Sequence, residues 1–171
     1  MSDIRLRIAG PSDAETLSRL GRRTFTETFG ALYPPQDLAD FLHGHAPDRY
    51  AAWLADARCR LWLAERDGEA LGYALATPCS LPHAEVTPAC GELKRLYIDA
   101  RAQGTGAGTA LLREALDWLQ APGRTLWIGV WSENHGAQRL YQRHGFEKAG
   151  SYLFPVGASR DLEFILRRSP P

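Results

Sequence analysis

Leu96-Tyr97-Ile98-Asp99-Ala100-Arg101-Ala102-Gln103-Gly104-Thr105-Gly106-Ala107-Gly108-Thr109 decides the architecture, because it reads as a strand, a glycine turn and the start of a helix. Glycines let a backbone approach a ligand closely and leave amide hydrogens free, while the amino end of a helix adds partial positive charge. The segment is therefore an anion site that can hold a pyrophosphate without lysines. Two other readings stand beside it. The glycines also suit a tight strand-to-helix turn that binds nothing. A dinucleotide-binding loop is the other reading. Against it, the spacing is G-x-G-x-G and not G-x-G-x-x-G, and the upstream strands form a hairpin; in its favour, Glu133 lies roughly where a ribose-binding acid would sit.

Downstream, Leu112, Ala115, Leu116 and Leu119 repeat at helical spacing and continue the helix to Pro122-Gly123. Thr125 to Trp131 is a nearly continuous apolar run, as expected of a strand covered on both faces near the sheet centre. Asn134 is placed to cap a short helix whose Ala137, Leu140 and Tyr141 share a face, and Gly145 sits where a left-handed stop is wanted. Two strands, about Phe146 to Phe154 and Asp161 to Arg167, close the chain. Upstream, Asp67-Gly68 joins Leu61–Glu65 to Ala70–Leu75 as a tight hairpin. The proline-rich stretch from Thr77 to Gly91 reads as a loop. Before it come a strand over Ile4 to Ile8, a break and cap at Gly10-Pro11-Ser12-Asp13, a helix ending near Gly30, and a helical, aromatic-rich insertion over residues 24 to 56. Together these elements predict one α/β domain over residues 1–171 with a layered, mixed sheet.

Composition narrows the function. With 20 basic against 20 acidic side chains there is no net field to attract nucleic acid or anionic membrane. The amino-terminal residues Met1 to Arg7 are polar, and no apolar run is long enough to span a bilayer, so a cytoplasmic protein is expected. Cys59, Cys79 and Cys90 are odd in number and form no C-x-x-C pair, which argues for buried or loop thiols. The pair His43 and His45 lacks a matching carboxylate or cysteine motif and reads as a surface helix end, so no metal is assigned. His135 and His144 read as exposed helix residues.

Gln103-Gly104-Thr105-Gly106-Ala107-Gly108 resembles the Q/R-x-x-G-x-G/A pyrophosphate loop of the GNAT N-acetyltransferase superfamily. A second block, Asn134, Ala137, Tyr141 and Gly145-Phe146, is similar to that family's N-x-x-A-x-x-x-Y-x-x-x-G-F segment, in the same order and after the next strand. The segments Phe25-Thr26-Glu27-Thr28-Phe29-Gly30 and Asp161-Leu162-Glu163-Phe164-Ile165-Leu166 resemble the PaiA-type branch, associated with spermidine and spermine.

The resemblance implies a GNAT-like, mostly antiparallel sheet of about seven strands, flanked by helices and splayed at its central strands. It also implies direct transfer of an acetyl group from acetyl-CoA to a primary amine, a polyamine in the PaiA branch, within a ternary complex. A domain that senses acetyl-CoA without transferring it is the alternative. In the transferase reading Tyr141 is the general acid for the leaving thiolate, and Glu92 is the base that takes a proton from the amine. Backbone groups of Leu96 and Ile98 bind the pantetheine arm. The loop Gln103, Gly104, Thr105, Gly106, Ala107, Gly108 and Thr109, with Asn134, completes the cofactor site. Phe25, Phe29 and Tyr33 line the acceptor channel, with Tyr152 and Phe154 in reach and Glu27, Asp37 and Asp40 as acids for a polyamine. A homodimer is expected because dimers are frequent in the superfamily.

Overall fold

The computed structural model describes residues 3–171, so the readings at Met1 and Ser2 lie outside the described residues. The order is β1 (Arg5–Ile8), α1 (Ala14–Phe29), α2 (Pro35–Leu42), α3 (Pro47–Ala55), β2 (Arg60–Arg66), β3 (Glu69–Pro78), β4 (Gly91–Ile98), α4 (Ala107–Leu119), β5 (Leu126–Trp131), α5 (His135–Arg143), β6 (Glu147–Val156) and β7 (Ser159–Arg168). Short 3-10 turns precede α1, α3 and the glycine turn.

All seven strands join one sheet in the order β1-β2-β3-β4-β5-β7-β6. Every neighbouring pair is antiparallel except β4 with β5. The β2–β3 hairpin closes through Asp67 at φ 53° and Gly68 at φ 80°, the left-handed pair that matches strand twist. One face of the sheet carries α4, whose Leu111, Leu112, Ala115 and Leu119 pack on Trp62, Ala74, Leu93 and Ile128. On the other face α1 and α3 set Leu17, Leu20 and Tyr50 against Leu61, Leu63, Tyr73 and Leu75. Burial on both faces explains why β5 reads as a nearly continuous apolar run.

The centre of the sheet is open. β4 and β5 pair only at Gly91 with Leu126, Glu92 with Trp127 and Leu93 with Ile128, and then part. At that point β4 carries an extra residue: Leu75 of β3 faces Arg95 while Ala76 faces Leu93, which leaves Lys94 as a bulge. A bulge bends its strand and adds twist, so β4 turns away from β5 where their pairing stops.

Three expectations change in detail. Asp13 stands at the amino end of α1, but its carboxylate turns back to accept the Gly10 amide at 2.7 Å and the Arg7 guanidinium at 2.8 and 2.9 Å, so it ties β1 to the turn and does not cap the helix. β3 extends through Thr77 and Pro78, shortening the proline-rich loop. His45 is fully buried, not a surface residue, because the turn after α2 inserts it between Phe41 and Tyr97. Its Nδ1 lies 3.0 Å from the Tyr50 hydroxyl and 3.3 Å from Arg95. Burial, with Arg95 and Arg22 nearby, lowers its pKa to about 3, so it stays neutral. His135 is exposed and His144 is half-buried. Cys59, Cys79 and Cys90 are free thiols. Among the described residues no helix is long and apolar enough to cross a membrane, and no three His, Cys, Asp or Glu side chains are grouped to hold a metal.

Candidate active site

A cleft of about 1020 Å³ occupies the gap where β4 and β5 separate, and it has two unlike sides. One side is mostly backbone. Gln103, Gly104, Gly106, Gly108 and Thr109 line it. Gly104 at φ 76° and Gly106 at φ 86° hold the left-handed turn that aims the first turn of α4 at the cleft. The first backbone bond into α4 runs from the Ala110 amide to the Gly106 carbonyl, and the Gly108 and Thr109 amides have no partner among the described residues. These free amides and the helix dipole favour an anion. Leu96 and Ile98 line the same side on the part of β4 that β5 no longer pairs.

Thr105 and Ala107 do not line the cleft. Thr105 bonds back to the Ala102 carbonyl and weakly caps Ala107, and the Ala107 side chain is buried in the core. Beneath the turn, buried Asp99 accepts the Arg101 amide at 2.9 Å and pairs with Arg101 and Arg23 at 3.0 and 2.7 Å. The Arg101 guanidinium, with Arg23 adding to it, holds the Asp99 carboxyl down at about 2.

Asn134 borders the cleft and caps α5, its Oδ1 accepting the Ala137 amide at 3.1 Å. One helical face further on, Tyr141 is 6% exposed and packs against Phe146, yet its hydroxyl has no hydrogen-bond partner among the described residues. Burial, and then the nearby Tyr97 and Glu163, raises the Tyr141 phenol well above its ordinary value, so it keeps its proton across the physiological range.

The other side of the cleft is made of side chains. Phe25, Phe29 and Tyr33 come from α1 and the segment after it, Phe41 from α2, Trp131 from β5, Tyr152 and Phe154 from β6. Their rings touch in series, Phe25 to Phe41 at 4.3 Å, Phe25 to Phe29 at 4.7 Å and Phe29 to Trp131 at 5.1 Å between centroids. Three acids line this region: Glu92, Asp161 and Glu163. Glu92 is 4% exposed and its Oε1 accepts the Ser80 amide at 3.0 Å. Asp161 accepts the Tyr33 hydroxyl. Glu163 accepts the Tyr152 hydroxyl at 2.9 Å, and burial, with help from Asp161 and Glu92, pushes its pKa up to about 7.

Glu27, Asp37 and Asp40 are not part of this wall. Glu27 is exposed beside Arg23, Asp40 bonds Gln36, and Asp37 accepts the Ala158 amide at 3.0 Å and the Ser159 hydroxyl, fastening α2 to the β6–β7 turn. The sequence alone assigns no site role to Asp161, Glu163 or Trp131. The available signal was strand alternation, since residues 161 and 163 share one face of a strand.

Residues 23–146 match the acetyltransferase (GNAT) family. An uncharacterized N-acetyltransferase of Mycobacterium tuberculosis (strain ATCC 25618 / H37Rv) is 30% identical over 162 residues, covering 92% of this chain and 97% of that one. One from Lactobacillus delbrueckii subsp. lactis is 26% identical over 174 residues, 99% of each chain. Among solved structures, the PaiA N-acetyltransferase from Thermoplasma acidophilum in complex with coenzyme A superposes with a TM-score of 0.74 at 16% identity, over 98% of this chain and 99% of that one. The splayed sheet, the glycine turn at its mouth and these matches lead to one assignment: the chain belongs to the acetyltransferase (GNAT) family of N-acetyltransferases.

Proposed function

We propose that this chain, acting as one domain, transfers an acetyl group from acetyl-CoA to a primary amine of a small molecule by direct attack in a ternary complex. The observation that carries the reading is a single cleft bordered on one side by the free amides of α4 and on the other by the buried Glu92 and the half-buried Asp161 and Glu163, and also lined by Tyr141, whose hydroxyl has no partner among the described residues. The amides of Gly104, Gly106, Gly108 and Thr109, with Gln103, receive the pyrophosphate. The pantetheine arm runs along the unpaired edge of β4 at Leu96 and Ile98, where a main-chain amide stabilises the oxyanion. Thr105 and Ala107 shape the turn. Asn134 keeps its side-chain NH2 for the cofactor while its oxygen caps α5. The coenzyme A complex of the Thermoplasma acidophilum protein, which shares the fold, supports acetyl-CoA as the donor.

On the acceptor side, Phe25, Phe29 and Tyr33 enclose an aliphatic chain, and Glu92, Asp161 and Glu163 favour a cationic one, which points to a polyamine. Tyr141 protonates the departing thiolate. The test is thiol release from acetyl-CoA with a panel of spermidine, putrescine, lysine, kanamycin and a peptide amino terminus. Tyr141→Phe should lower kcat by roughly 10²-fold or more, the usual range for a general acid, with acetyl-CoA affinity within about threefold by calorimetry. Full turnover in that variant would remove Tyr141 from the mechanism. Tight acetyl-CoA binding without thiol release from any amine would move the chain to a sensing role.

A further inference from the structure

An amine with a solution pKa of about 10 is neutral in only about one molecule in a thousand at pH 7, so the acceptor side needs a group that removes a proton. Three carboxylates border it, and their surroundings differ. Asp161 is occupied by the Tyr33 hydroxyl. Glu92 sits where β4 and β5 are still paired, opposite Trp127, and its Oε1 is held by the Ser80 amide. Its role there is to fasten the Ser80–Pro82 segment over the cleft. Glu163 stands at the other end of β5, opposite Trp131, where β4 has already turned away. Its Oε2 accepts the Tyr152 hydroxyl and its Oε1 has no partner among the described residues.

The space for this carboxylate comes from Gly129 of β5, where a Cβ would lie 3.1 Å from Glu163 Oε2 and 3.2 Å from Leu81. Around Glu163 the titratable groups are Asp161 on its own strand, Glu92 and Tyr97 from β4, Tyr152 from β6 and Tyr141 from α5. None of these is a cation; Lys94, Arg95 and Arg143 line the cleft as well, with Lys94 donating to the Ser80 hydroxyl and Arg95 to the Tyr50 hydroxyl, and none of the three bonds Glu163. Tyr141, the proposed acid, and Tyr97 line the same cleft as Glu163.

We propose that Glu163, and not Glu92, is the catalytic base that takes the proton from the acceptor ammonium. This rests on the transferase reading above. A proton passes from the ammonium nitrogen to Glu163 Oε1, and the freed lone pair attacks the thioester carbonyl carbon. The carbon–sulfur bond then breaks, the sulfur takes the Tyr141 hydroxyl proton, and the second nitrogen proton returns to Tyr141 through water. Glu163 releases its proton to solvent, so ammonium and thioester become amide, thiol and one proton.

The test compares the parent, Glu163→Gln, Glu163→Asp and Glu92→Gln in thiol release between pH 5.5 and 9.5, using the fastest amine of the panel above, with acetyl-CoA binding measured alongside. In the parent, kcat/KM should break near pH 7, the value to which burial moves Glu163. Glu163→Gln should lose roughly 10²-fold at pH 7 and rise without a break toward pH 9.5, following the free amine. Glu163→Asp should regain the break at a lower plateau, and Glu92→Gln should keep it whatever its absolute rate. A break retained in Glu163→Gln, or lost in Glu92→Gln instead, overturns the assignment. A parent that binds acetyl-CoA but acetylates no amine overturns the transferase reading and this base with it.

Discussion

The two sides of the cleft are built from different material. The glycine-turn side comes from one continuous run, β4 through α5, and offers mainly backbone: amides at the start of α4 and the unpaired edge of β4. The aromatic side gathers side chains from α1, α2, β5, β6 and β7, with Tyr33 bonded to Asp161 from the far end of the chain. Backbone groups are the same in any sequence, so the first side is suited to an invariant ligand. Side chains can be exchanged one at a time, so in the proposed function the second side is where acceptor choice would be decided.

Gly129 gives the most severe test of this division. Gly129→Val would force the Glu163 carboxylate and Leu81 aside, and a shift of about 1 Å at a reacting group can cost about 10²-fold. The expected outcome is a loss of that size in kcat/KM for the amine with acetyl-CoA affinity unchanged by calorimetry. An equal fall in acetyl-CoA affinity would show that the two sides are not separable. The opposite substitution is smaller. Gly106→Ala places a side chain at φ 86°, where left-handed backbone costs roughly 1–2 kcal/mol; a turn that relaxes when empty must regain that strain on binding, so acetyl-CoA should bind up to about tenfold more weakly while KM for the amine stays put.

The least effect, and the sharpest on where the sides meet, concerns Asp99, which pairs with Arg101 under the glycine turn and with Arg23 of α1. Its folded pKa lies below the ordinary carboxylate value of about 3.9, so the stability it adds is present above about pH 4 and is lost as pH falls toward 2. Asp99→Asn should melt a few degrees lower than the parent at pH 7. The gap in Tm should close between pH 4 and pH 2, and a gap that persists at pH 2 would deny the ion pair its part.

The same division explains what could be read from the sequence. Elements with one period and local stop signals were legible: the α4 repeat of Leu112, Ala115, Leu116 and Leu119, the Asp67-Gly68 hairpin, and the cap and stop of α5 at Asn134 and Gly145. The glycine turn that opens α4 was legible because its backbone geometry is carried by adjacent residues, Gly104 and Gly106. Phe25, Phe29 and Tyr33 were placed on the acceptor side through family resemblance, and they do line the cleft. Of the acids of that side, Glu92 was legible but Asp161 and Glu163 were not, because nothing near residue 163 in sequence says that Gly129 lies beneath it. Asp37 looked equally able to face a substrate, and only the position of the β6–β7 turn shows that it is spent on Ala158 and Ser159. The bulge at Lys94 left no mark either, since a bulge is set by a partner strand.

The seating of β7 between β5 and β6 has a consequence for assembly during synthesis. The run from β4 to α5 emerges from the ribosome before the terminal hairpin does, and chains are made at about 5–20 residues per second. Until that hairpin arrives, β5 has an open outer edge, Asp37 lacks the turn it grips, and Tyr33 lacks Asp161. Contacts that bridge such separations are the slow ones to form. The aromatic side of the cleft therefore has its full set of walls only once β6 and β7 have joined the sheet, whereas the glycine turn draws on residues already made.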